Sequence, residues 1–489
     1  MELKKHIKQK NYNYYILAVV ILLLLFPYVI RYLTQDTLLI PGDKIYNHLS
    51  LAEVTQEYSF LHSKIVNDPL ILPSRANIIT PFHMLINLLG KIIPINAAIM
   101  VLSLLLGILS AIIFNAILKR FKFLYFQRFA IMMILVLSPL FLNTFLIPDQ
   151  TFFIIFLQLL GFYLYTKTTK YKYLSVIPYL VLSFFSIFHT LIAILIIMVY
   201  EFKTYKDFRF VSILSVFMMG ISLLYNIPIY FIYGFIKIQL PQENLFQYYI
   251  ADLGSKVGFG IFSLILLVFG IIKTWKDKYT KDYIILYFSL ILFIVFSYLF
   301  PAYMPYLNFI VMIFAGLGFI HLFEMKWELG IIKKFTIFII ILGLIFSGIS
   351  YSKRVSSISP TPELLEGLDF IKEKYPDTII LTHQDYGHII KYYSHSKVLI
   401  DSDYDFIEDY DYFINIVDTI FQSRSLKEVT KLLDKYQINH ILITKEMKNG
   451  LVWYKESQGL LFLLENSERF KIVYHSPYVE IWEYQRINQ

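Results

Sequence analysis

The stretch "YKYLSVIPYLVLSFFSIFHTLIAILIIMVYEFKTYKDFR", residues 171–209, decides the topology of the chain. An apolar run, 174–200, lies between two basic segments, Lys167/Lys170/Lys172 before it and Lys203/Lys206/Arg209 after it. Short loops rich in lysine and arginine stay on the cytoplasmic side of a membrane. One crossing cannot join two cytoplasmic ends. Two short helices meeting near Ser186–Thr190 can, although each is shorter than a comfortable span. Counting them as two puts the C-terminal region on the exterior face. Counting one puts it inside and sets every later loop against its own lysines.

Composition supports a membrane setting for that question. Of 489 residues, 57% are hydrophobic and 16% charged, and the mean hydropathy is +0.59; a soluble domain carries about 25% charged residues. Apolar runs lie at 14–30, 95–118, 129–147, 150–166, 174–200, 210–235, 257–272, 284–300, 303–323 and 335–351. Basic residues gather between alternate runs, at Lys119/Arg120/Lys122/Arg128, Lys273/Lys276/Lys278/Lys281 and Lys326/Lys333/Lys334. The net charge of +8 is thus laid out by membrane side and is no nucleic-acid footprint. "MELKKHIKQK" before the first run reads as a cytoplasmic N-terminus followed by an uncleaved span, since no small-residue cleavage site follows. Cysteine is absent, which removes disulfides, thiolate metal sites and cysteine nucleophiles. The expected fold is a multi-pass α-helical membrane domain of about eleven spans, residues 1–352. A small exterior α/β domain, residues 353–489, follows it.

Three sizeable exterior pieces result: 33–94, which belongs to the first domain, 236–256, and everything after 352. Within the first, "PFHMLINLLGKIIP" (81–94) is too short to span and is expected to lie along the outer membrane surface. In the tail, "TPELLEGLDFIKEKY" predicts a helix with Thr361 as cap and Pro362 in the first turn. "DTIILT", "KVLID" and "HILIT" predict strands, 406–436 a polar helix pair, and "FKIVYHS" with "VEIWEY" a hairpin.

The spans hold few ionisable groups, His189 being the main exception. That poverty argues against an ion-coupled transporter, which places charged groups inside the membrane. Carboxylates instead sit at exterior ends of spans: Asp43 after the first, and Asp149 in the turn "PDQ". Two such groups can hold a Mg²⁺ or Mn²⁺ ion that clamps a phosphate leaving group, and each alone also reads as a solvated loop residue. "DSDYDFIEDYDY", from Asp401, fails the calcium-loop pattern at Phe406 and Tyr412 and reads as a solvated acidic helix start. The tyrosines at 392, 393, 404, 410 and 412 read as residues of a membrane or domain surface.

The order of these features resembles the GT-C class of membrane glycosyltransferases. "GDKIYNHLSLAE" is similar to that class's first acidic motif, with Asp43 at the aspartate, and "IPDQTFFIIF" to its second, with Asp149. His383-Gln384-Asp385-Tyr386-Gly387, followed by "HIIKYYSHSKVLIDSDY", resembles the WWDYG tail motif of oligosaccharyltransferase catalytic subunits, with His383 and Gln384 where that motif has tryptophans. The resemblance implies transfer of a sugar from a polyprenyl-phosphate carrier to a protein or glycan acceptor at the exterior face of the cell membrane. It implies Asp43 as the catalytic carboxylate and, with Asp149, as cation ligand. It further implies Tyr46 and His48 on the donor side, and Asp385, Tyr386 and Gly387 on the acceptor side, where Gly387 permits a tight turn and Asp385 alternatively caps the following helix. Glu243 in "LPQEN" is a looser candidate for a catalytic-loop glutamate. Two other readings stay open: an inactive scaffold of this class, and a transporter of lipid-linked sugars.

Overall fold

The computed structural model describes residues 12–486 apart from 36–38, 56–64, 74, 168, 205–207, 235–248, 254, 256, 404, 408 and 456. The chain divides into two compact units. The first comprises Met1–Leu38, Asn96–Ile227 and Lys237–Ser357; the second comprises Leu39–Ile95, Pro228–Ile236 and Ile358–Gln489. The exterior loop expected within the membrane domain therefore packs with the tail instead.

The first unit is helical. Six helices are long and apolar enough to cross a membrane: Tyr12–Thr34, Ile95–Arg120, Phe208–Tyr233, Lys281–Leu299, Pro301–Glu324 and Gly330–Ser356. The run 129–147 is broken into Tyr125–Val136 and Pro139–Leu146, bent by 60°. Pro139 has no N–H to continue the first helix, and Ser138 caps the second by accepting from the Phe141 amide. Counting the bent pair as one span gives up to seven among the described residues by length and composition, which does not confirm the expected number of about eleven. Shorter apolar helices account for the difference: Gln150–Tyr165 has 16 residues, about 24 Å of helix against about 30 Å of hydrocarbon.

The region that decides the topology is also broken. Val176–Leu182 and Ile187–Thr204 are separate helices, so the break falls at 183–186, just before the expected point. Elsewhere helices approach closely through glycine, the small-residue packing that membranes favour. A Cβ on Gly270 would lie 1.9 Å from the Phe314 carbonyl oxygen, and one on Gly318 would lie 2.0 Å from that of Leu266.

The second unit is the α/β part. Strands β1 (Ile65–Asn67) and β2 (Ala76–Ile78) pair antiparallel. The main sheet has the order β4-β3-β5-β7-β6, from β3 (Ile379–Leu381), β4 (Lys397–Val398), β5 (His440–Thr444), β6 (Phe470–His475) and β7 (Val479–Tyr484). β3 pairs parallel with β4 and β5, while β7 pairs antiparallel with β5 and β6. Every residue of β5 is buried, as its unbroken apolar run requires in a central strand. Helix Pro362–Lys374 begins as read, with Thr361 accepting from the Leu364 amide. Loop and tail are stitched together by backbone, Leu72 N–H donating to the Val398 carbonyl at 3.0 Å and Val398 N–H to that of Leu70 at 2.9 Å.

Candidate active site

Asp43 occupies the residue before helix Lys44–Val54, yet it does not cap that helix. Gly42 ahead of it has φ +102°, a conformation glycine adopts without strain, and so turns the chain into the helix. The carboxylate faces tail residues of its own unit instead. Its Oδ1 accepts from the Ile389 amide at 2.9 Å and its Oδ2 from the Ser402 hydroxyl at 2.6 Å. Burial pushes its pKa above the ordinary carboxylate value, against the opposing pull of His388, Ser402 and the Ile389 amide.

Behind Ser402 lies a buried cluster of charges. Arg75 makes a two-pronged ion pair with Asp401 and also donates to the Asp403 carbonyl. Lys391 Nζ bridges Asp401 and Asp68, at 2.6 Å from each. Lys44 pairs with Asp403 at 2.9 Å, and His388 Nε2 lies 3.5 Å from Asp401 and 3.3 Å from Asp403. Arg75 and Asp401 are 1% and 0% exposed. Burial alone would raise the pKa of Asp401, but Arg75, His388 and Lys391 outweigh it and hold the carboxyl well below the usual range. The "DSDYD" stretch is thus no solvated helix start; Asp401 and Asp403 are drawn inward by His388 and Lys391 nearby in sequence and by Arg75 and Lys44 hundreds of residues away. Asp405, at the edge of the cluster, is pushed up to about 6 by burial and then by Asp403.

The other candidates in this unit fall into place around that frame. Tyr46 is fully buried, donates to the Ile40 carbonyl at 3.0 Å and packs its ring against Tyr392 and Tyr393. Tyr392 and Tyr393 are therefore packing residues of the unit, and so is Tyr410, which is buried and donates to the Asp401 carbonyl. Tyr404 lies outside the described residues. His48 Nδ1 lies 2.9 Å from His83 Nε2. Because the Thr80 amide donates to His83 Nδ1 at 2.8 Å, the neutral His83 carries its proton on Nε2 and donates it to His48. His83 also satisfies the start of helix Pro81–Gly90, a capping role that its position three residues after Thr80 made readable.

In the tail motif, the Asp385 amide is taken by His383 Nδ1, so His383, and not Asp385, supplies the cap. The Asp385 side chain is one-third exposed. Tyr386 points inward, accepting from Thr444 and donating to Glu446 at 2.9 Å each. Gly387 has φ −61°, so the expected tight turn is not its reason. A Cβ there would lie 2.4 Å from Asp401 Cβ, and the glycine lets its helix rest on Ile400–Asp401. Glu243 lies outside the described residues.

In the first unit, Asp149 precedes helix Gln150–Tyr165 and accepts from the Thr151 hydroxyl at 3.1 Å. Its charge acts on His189, whose Nδ1 lies 3.0 Å from the Tyr306 hydroxyl. Tyr28 donates to the Leu146 carbonyl, which brings the buried Arg31, one turn along the same helix, to the end of the bundle that carries Asp149. Arg31 escaped the sequence reading because it closes an apolar run where flanking cations are ordinary. Among the described residues no three His, Cys, Asp or Glu side chains form a group that could hold a metal ion. A Mg²⁺ or Mn²⁺ ion held by two carboxylates and a substrate phosphate, as expected of Asp43 and Asp149, does not require such a group of three.

No protein-family model and no curated protein matches the sequence. Solved structures do match its fold. Over 90% of this chain and 70% of the other, it superposes at TM-score 0.59 and 11% identity on the oligosaccharyltransferase AglB of Archaeoglobus fulgidus in complex with an inhibitory peptide and a dolichol-phosphate. ArnT from Cupriavidus metallidurans bound to undecaprenyl phosphate matches over 95% and 97% of the two chains, at TM-score 0.52 and 10% identity. The chain has the GT-C fold. A further structure with this GT-C fold, the A. fulgidus oligosaccharyltransferase complex with Zn and sulfate, matches over 94% and 72%, at TM-score 0.56 and 13% identity. At these identities the GT-C likeness speaks for the fold and leaves the reaction to be argued from residues.

Proposed function

We propose that the chain is a membrane glycosyltransferase that moves a sugar from a polyprenyl-phosphate carrier to a protein or glycan acceptor at the exterior face, with Asp43 as its catalytic base. The observation that carries this reading is the Asp43 carboxylate: half-buried, raised in pKa and oriented by one donor on each oxygen. As the acceptor attacks the anomeric carbon it must lose a proton, and the leaving phosphate carries away the bonding electron pair. A desolvated carboxylate is a stronger base than a solvated one, which suits it to take that proton. Arg31 and Asp149 lie at one end of the helical unit, where Arg31 supplies a cation for a phosphate. His48 is the donor-side candidate kept from the first motif, since Tyr46 spends its hydroxyl on Ile40. On the acceptor side Asp385 provides the exposed group, while Tyr386 and Gly387 shape the segment behind it. Oligosaccharyl transfer to a peptide is the finer form of this proposal.

The test is the lipid-linked donor pool. Cells lacking the chain should accumulate a polyprenyl-phosphate-linked sugar that wild-type expression consumes, and an unchanged pool argues against transfer. A scaffold reading has one observation in its favour: both Asp43 oxygens already bind tail groups. It expects the pool to respond equally to wild type and to Asp43→Asn.

A further inference from the structure

At the other end of the helical unit from Asp149, a cavity of about 760 Å³ opens between the first turns of helix Tyr12–Gln35 and the last turns of Ile95–Arg120. Its two ends differ in chemistry. One end holds Lys119 and Arg128 beside Asn13 and Asn115; the walls beyond are Ile16, Leu17 and Val20 on one side and Ile108, Ala111 and Ile112 on the other. From Tyr12 to Val20 the apolar wall runs about 12 Å along the helix axis.

Arg128 is the unusual member. It is only 5% exposed, and its Nε has no hydrogen-bond partner among the described residues. Its guanidinium carbon sits 5.3 Å from the centre of the Tyr12 ring, which leaves the planar fork directed by a cation–π contact alone. The ring is itself fixed, since Tyr12 donates to Asn115 Oδ1, and Asn115 in turn donates to Asn13 at 3.1 Å. A buried guanidinium N–H without a partner is costly unless an anion satisfies it.

We infer that this groove binds one membrane phospholipid with an anionic headgroup. Arg128 and Lys119 take the phosphate, the asparagines the headgroup hydroxyls, and the apolar walls the upper part of one acyl chain. Basic pockets between spans on the positively flanked side of a membrane have this recognition chemistry. A free phosphate leaves the walls bare. On the proposed function, the donor lipid's phosphate goes instead to Arg31, at the Asp149 end of the unit.

The test places full-length protein in phosphatidylcholine nanodiscs doped with phosphatidylglycerol and counts retained lipids by native mass spectrometry. Wild type should retain one phosphatidylglycerol at least tenfold in preference to phosphatidylcholine. Lys119→Gln, an exposed change that folding tolerates, should cut the preference at least fivefold, and Arg128→Gln further. Ala116→Trp narrows the groove with both charges intact and should also lose the lipid. Equal retention of the two lipids overturns the inference, as does unaltered binding in Ala116→Trp. Displacement by millimolar inorganic phosphate, or preferential displacement by undecaprenyl phosphate, overturns it too.

Discussion

Replacing Arg75 by alanine should loosen the α/β unit more than any surface change. Arg75 gives two N–H groups to the Asp401 carboxylate and one to the Asp403 carbonyl, and both charged partners are almost wholly buried. Its loss strands a buried carboxylate and a buried carbonyl. Removing one partner of a buried ion pair costs about 3–5 kcal/mol. Lys391 remains 2.6 Å from Asp401, so the lower figure, about 3 kcal/mol, applies. In a unit of this size that is a fall of roughly 6–12 °C in unfolding midpoint. The assay is thermal unfolding of the full-length protein in nanodiscs, read by limited proteolysis within 379–401. Arg75→Met combined with Asp401→Leu removes the stranded charge and should recover at least half of the loss. A single-variant loss below about 1 kcal/mol, the range of exposed pairs, would refute the claim that the cluster is desolvated. So would a double variant no better than the single.

Asp405, with a folded pKa of about 6 against an ordinary 3.8, holds its proton more tightly when folded. Its contribution is therefore fully present at low pH and declines as pH rises through the window from about 4 to 6, and Asp405→Asn should stabilise the unit at pH 7.5 by up to about 2–3 kcal/mol with no gain at pH 4. A gain independent of pH would place the effect elsewhere. Gly387→Ala should destabilise by about 1–3 kcal/mol, because its Cβ meets backbone as well as side chain; a neutral result in chemical unfolding would contradict the close approach to Asp401. The Ser402 hydroxyl lowers the Asp43 pKa, so Ser402→Ala should move the acid limb of the transfer rate to higher pH, and an unmoved limb would show that Ser402 does not tune Asp43.

The parts of the fold written in local pattern were readable, and the parts made by distant partners were not. Apolar runs bounded by lysines announced a helical membrane unit, and "HILIT" and "VEIWEY" announced strands because their periodicity is local. The break before Pro139 was also legible in principle, since proline ends a helix at any depth. The span number is not confirmed where helices are shorter than the hydrocarbon, as at Gln150–Tyr165. Asp43 is singled out by its motif, but its environment is not legible there: Ile389 lies 346 positions away and Ser402 lies 359. The same distance hid Arg75 from Asp401, 326 positions apart, and made a buried cluster look like a solvated run. Gly387 serves a close approach and not the expected tight turn, a difference that sequence cannot show because it does not tell a positive φ from tight packing.

The most direct test of the central claim is single-turnover transfer from a polyprenyl-phosphate-linked sugar in proteoliposomes, comparing wild type with Asp43→Asn. The asparagine keeps the size of the side chain and can still accept a hydrogen bond at its oxygen, but it cannot take a proton. The rate is expected to fall by about 10²–10⁴-fold, the usual worth of a general base, with donor binding unchanged. Transfer by Asp43→Asn at the wild-type rate would contradict it.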